Sequence, residues 1–110
     1  MSGPGWSGLS LKTLLELESK PKLATKLAAL LPKGTDLQEA ALGFAHARQL
    51  AAAAHASKNL DLPFVLLKFT MKDSSSKALR GAIAELRPIQ DAGAEVKKAE
   101  QQAKDDMKQR

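Results

Sequence analysis

The stretch NLDLPFVLLKFTMK, Asn59 to Lys72, decides the fold. Its apolar run, Val65, Leu66, Leu67 and Phe69, would suit a buried strand. The same stretch also follows a helical rule. Leu62, Val65, Leu66 and Phe69 fall at i, i+3, i+4 and i+7, and Asp61 ahead of Leu62-Pro63 makes a good helix start. A strand needs a neighbour to take its backbone hydrogen bonds, and no other segment of the chain reads as one. The stretch is therefore predicted to be a helix, with that apolar face at the centre of the core.

Composition points the same way. Of the 110 residues, 44% are hydrophobic but only 4% aromatic, and tyrosine is absent. Leucine and alanine supply most of the apolar content, and both favour helices over strands. The length suits one domain with a modest core.

Working outward, helical spacing recurs on both sides. Ser10 is placed to cap a first helix carrying Leu11, Leu14, Leu15 and Glu18. Pro21, with Ser19 as its cap, restarts the chain for a helix striped by Leu23, Leu27, Leu30 and Leu31. Thr35 and Gln38 have capping-box spacing, and from Thr35 to about Ser57 Gly43 is the only breaker. That run is predicted as the longest helix. Downstream, Lys72 to Lys77 reads as a loop and cap cluster. It precedes a helix striped by Leu79, Ala82, Ile83 and Leu86. After Pro88, Asp91 caps a last helix with a thin stripe of Val96, Ala99, Ala103 and Met107.

The expected architecture is an all-α compact bundle of four to six helices. It divides into a mobile N-terminal tail (1–8), a bundle (9–88) and a charged, partly frayed C-terminal helix (89–110). On that helix Glu100 and Lys104 are spaced as an i, i+4 pair, while Asp105 and Asp106 read as solvated charge.

Several chemistries are excluded or find no support. Without cysteine there is no disulfide, thiol catalysis or thiolate zinc site. No apolar run approaches the roughly 18 residues of a membrane span. The start, MSGPGWSGLSLK, lacks the pattern of a secretory signal, so the expected setting is cytoplasmic. No glycine pattern builds a phosphate loop, no serine sits in a nucleophile elbow, and nothing asks for a cofactor. An enzyme is not expected.

Both histidines lie in GFAHARQLAAAAHASKN, Gly43 to Asn59. On one continuous helix His46 and His55 would point to opposite faces, so they could not share a metal. Arg48 and His55, however, would align with Phe44 on the buried side. There they need either an internal partner, such as Glu16, Glu18 or Asp61 for Arg48, or an external one.

Two roles follow. The first is a small protein-interaction or assembly module of adaptor or regulatory type. Its candidate contacts are Trp6, an aromatic anchor in the tail, with Phe44, Arg48 and His55, and the Val96–Met107 stripe, which a partner helix or second copy could complete. The second is a basic nucleic-acid-associated protein. The net charge is +5, with +3 in residues 1–35, −1 in 36–62 and +3 in 63–110. Its candidates are Lys72, Lys77, Arg80, Arg87, Lys97, Lys98 and Lys104. Against it stand the acids interspersed on the last helix. The helix-turn-helix outline of residues 30–55 is also too poor in base-reading side chains.

Overall fold

Leucine stripes and a run of alanines on successive short helices can be buried only by folding the helices against one another. The computed structural model shows them doing so, and describes residues 11–31, 40–41, 44, 46–73 and 75–108. Among these there are six helices and no strand: α1 (Leu11–Ser19), α2 (Pro21–Leu30), α3 (Ala47–Asn59), α4 (Phe64–Thr70), α5 (Ser76–Leu86) and α6 (Ala92–Met107). The all-α bundle expected from the sequence is the fold observed. Trp6 lies outside the described residues.

The centre is α3. Every residue from Leu50 to Ser57 is buried, so this helix has no solvent face along that length. Alanine makes this possible, because its small side chain lets neighbours approach on all sides. Helix α3 packs along α6 more extensively than any other pair, and touches α1, α2 and α4 as well. The thin stripe of α6 fills this seam: Val96, Ala99 and Ala103 are buried, with Met107 at the edge.

The long third helix is not continuous. Ala40 and Ala41 are helical, Phe44 is not, and His46 is extended (φ −142°, ψ 149°) as the N-cap of α3. The longest described helix is instead α6. The first turn of α3 finds its acceptors locally and across the bundle. The His46 N–H donates to Gln49 Oε1 at 3.2 Å, and the Ala47 N–H donates to Glu16 Oε1 of α1 at 2.7 Å. A carboxylate there meets the positive end of the helix dipole.

Asp61 ends α3 rather than starting α4. It sits at φ 54°, in the left-handed region that aspartate tolerates better than most residues. Around it the Leu62 N–H reaches Ser57 O and the Asp61 N–H reaches Lys58 O, the paired bonds of a Schellman stop. Pro63 then caps α4. Likewise Lys20, not Ser19, is the N-cap of α2, with Pro21 in its first turn; Ser19 Oγ donates to Glu16 O instead. Ser75 and Asp91 do cap α5 and α6, accepting from the Ala78 and Ala94 N–H groups, both at 3.1 Å.

Helix α4 is confirmed as helix, but turned about half a revolution from the expected face. Phe64 and Leu67 are the buried pair, flanked by Leu62 and Met71. Phe64 fixes this orientation by stacking on Phe44, with ring centroids 6.2 Å apart and planes at 30°. Lys68 reinforces it, donating to Ala40 O at 3.2 Å with its ammonium 5.6 Å from the Phe44 ring centroid. The residues expected at the centre of the core, Val65, Leu66 and Phe69, therefore face outward.

Candidate functional site

Some of the polar residues that look functional in the sequence have been taken up by the fold, His55 foremost. His55 is buried, and its Nε2 lies 2.6 Å from Asp106 Oδ2 near the end of α6. Asp106 Oδ1 lies 2.7 Å from Lys26 Nζ of α2. A carboxylate exposing only 2% of its surface is thus held by one buried imidazole and one partly exposed ammonium. Asp105 stays exposed as expected, but Asp106 does not. A charge so placed must be paired, because desolvating it alone is costly. The cluster ties the last turns of α6 to α2 and α3. Its signal is present in the sequence: Asp106 follows Ala99 and Ala103 at i+7 and i+3, on the buried stripe. Nothing in the spacing points to Lys26.

Arg48 does not share this fate. The expected alignment of Phe44 with Arg48 and His55 requires an unbroken helix, and the interruption before Ala47 removes it. Arg48 and His55 stay aligned on α3, but Arg48 lies in its first turn, outside the stretch from Leu50 to Ser57 that is buried all round. Arg48 is exposed and forms no ion pair with Glu16, Glu18 or Asp61; Glu16 accepts from the Ala47 backbone instead. It lines a surface hollow of about 320 Å³ with Gln49, Ser76, Glu100 and Lys104. Phe44 and Val96 are buried inside the chain, so both are occupied by the fold. The Val96–Met107 stripe already has its partner, α3 of the same molecule.

Arg87 is also structural in its contacts. Its guanidinium donates to Leu86 O at 3.1 Å and to Asp61 O at 3.2 Å, clamping the α3–α4 turn. Lys72 and Lys98 are exposed. Lys77, Arg80 and Lys97 are exposed together along a hollow of about 800 Å³ between α5 and α6. Glu100 turns away from the expected pairing with Lys104 and accepts from the Ser76 hydroxyl.

The serine hydroxyls have structural duties too. Ser57 Oγ donates to Leu62 O, Ser75 Oγ caps α5 and Ser19 Oγ returns to its own helix. None of these arrangements presents a serine to a histidine. Asp73 Oδ1 accepts from the Ser75 N–H at 2.8 Å. Bonding to the Ser75 side chain and backbone, with Lys77 nearby, holds this carboxyl below its ordinary range.

Among the described residues, the exposed large apolar side chains cluster on α4. Phe69 is 86% exposed, Val65 72% and Leu66 43%. At 100° per residue they occupy one arc of about 100°, centred opposite Phe64 and Leu67. Leu15 on α1 and Ile89 in the α5–α6 connection are also exposed, but scattered apolar residues are ordinary whereas a clustered set is not. The spacing identifies this arc as apolar; the structure reverses its direction. No helix among the described residues is long and apolar enough to cross a membrane. Neither protein-family models, nor curated proteins, nor solved structures match the chain.

Proposed function

We propose that this chain is a non-enzymatic interaction or assembly module of the cytoplasm that docks a protein partner on the outward arc of α4. The observation carrying this reading is Phe69, a large aromatic side chain exposed over 86% of its surface beside Val65 and Leu66. Such a residue adds little to folding where it stands, whereas aromatic anchors desolvated at an interface dominate its binding energy. The seven-residue helix under it is positioned by Phe64, Leu67 and the Lys68 contacts, so the arc is presented on a fixed support. That supports an interaction surface rather than loose core.

Val65, Leu66 and Phe69 thereby replace the sequence candidates Phe44, His55 and Val96, which the fold buries. The test compares the proteins retained from the native extract by the wild-type chain and by Phe69→Asp. The change falls at an exposed position, so the variant keeps its helical circular dichroism and unfolding midpoint. Partners lost from Phe69→Asp but kept by a charge change on α6, such as Gln101→Asp, support the reading. The same retained set for all three chains overturns it.

A further inference from the structure

A second face, independent of α4, has a different chemistry. Lys77 and Arg80 on α5 and Lys97 on α6 line one hollow; Arg48 on α3 and Lys104 on α6 line the next. The two hollows share Ser76, so the cations form one continuous strip drawn from three helices. None of the five strip cations forms an ion pair within 4 Å with another described residue.

Most of the acids of α6 that argued against such a surface point away from it; Glu100 does not. On α6, Lys97 and Lys104 lie within about 20° of each other around the helix, and Lys108 falls within about 40° of both. Glu95 points to the far side, Asp105 lies about a quarter-turn away, and Asp106 is buried against Lys26 and His55. On α5, Glu85 borders the neighbouring groove, which Thr70, Lys72 and Asp73 line and which meets the strip at Lys77. Three carboxylates remain beside the strip, and each is engaged: Asp91 accepts from the Ala94 N–H, Glu100 from the Ser76 hydroxyl, and Asp73, near Lys77, from the Ser75 N–H. A sequence with its charges interspersed thus folds into a face on which cations outnumber the carboxylates, five to three, and each of those carboxylates accepts a hydrogen bond.

We infer that this strip binds the phosphate backbone of a nucleic acid. A row of lysines and arginines with few base-reading side chains recognises charge spacing rather than sequence. Alanine-rich α3 cannot enter a groove as a reading helix, since it is buried from Leu50 to Ser57. Binding is therefore sequence-independent and falls steeply with salt.

The experiment is a fluorescence-anisotropy titration of the full chain against labelled duplex DNA and single-stranded RNA over a salt series. A poly-glutamate competitor distinguishes phosphate from carboxylate chemistry. Lys77, Arg80 and Lys97 are changed together to Gln, and Lys22, Lys58 and Lys98 are changed together in a control with the same net charge. All six are exposed, so both variants fold. The expected result is binding by the wild type at about 50 mM salt, weakened at least about tenfold in the strip variant. The log–log salt slope falls by about 0.9 for each duplex phosphate no longer neutralised, while the control stays within about threefold. No binding at low salt overturns the inference. So does equal weakening of both variants, which would mean bulk charge, or equally strong displacement by poly-glutamate, which would mean an acidic polypeptide site. None of these outcomes bears on α4, because Val65, Leu66 and Phe69 are untouched.

Discussion

Helices α6 and α4 reverse the expectation that apolar bulk decides what is buried. The stripe of α6 is thin, one valine and two alanines, yet all three are buried against α3 along the most extensive seam in the molecule. Helix α4 offers far more apolar bulk per residue and sends much of it outward. Burial depends on what lies opposite. The alanines of α3 leave room for α6 to lie close, and Asp106 secures its far end to His55 and Lys26. Helix α4 has only seven residues and two apolar arcs; the stacking of Phe64 on Phe44 selects one and leaves the other to solvent.

The contrast breaks hardest at Asp106. Replacing it with Ala strands His55 in the interior and frees Lys26, and unfolding in denaturant should show a loss of about 3–5 kcal/mol. Changing Asp106 and His55 together to Leu should recover much of that loss, since a buried pair exchanged for packed hydrophobic groups is often near neutral. Equal losses for the single and double variants would mean that Asp106 matters to α6 only through its contact with Lys26.

Within α4 the comparison can be sharpened to two phenylalanines on opposite faces. Phe64→Ala should cost about 3–5 kcal/mol, the range for a buried aromatic removed from a core. Phe69→Ala should stay within about 0.5 kcal/mol, as for a surface position without structural contacts. Similar losses at both positions would show that the outward arc is packed in solution.

The smallest effect lies between the two regions, in the loop leading to α5. Asp73 holds its carboxyl below the ordinary range through its bonds to Ser75. A group with a lowered folded-state pKa adds stability above its unfolded value, and that contribution is lost as pH falls through the folded one. Asp73→Asn should therefore slightly lower the neutral plateau of the stability profile and flatten its acid side by the same amount, the two profiles converging below the carboxylate range. Unfolding midpoints measured from neutral pH to below the carboxylate range will show whether it does.

Much of this architecture is legible in local pattern. The stripes of α2, α5 and α6, the caps at Ser75 and Asp91 and the helical state of Phe64–Thr70 all follow from spacing and cap chemistry. Local pattern fails where a decision is non-local. Gly43 is visible as a weak point, but spacing alone carries the register linking Phe44, Arg48 and His55 straight across the interruption. The face of α4 depends on a ring stack twenty residues away in sequence, and no periodicity on α4 itself encodes it. Asp106 lies on the apolar stripe; its charge, rather than its position, suggests a solvated residue. The basic strip is legible only as a set of lysines and arginines, because the turning of most α6 acids away from them arises from helix rotation and burial.

The central claim, that the outward arc of α4 is a docking surface, is tested most directly by placing a photo-reactive phenylalanine analogue at position 69 and irradiating the chain in its native extract. The expected result is a discrete protein adduct that is absent when the analogue stands at Gln101 and is abolished by adding Val65→Asp. No adduct at position 69, or the same adducts from both positions, would contradict the claim.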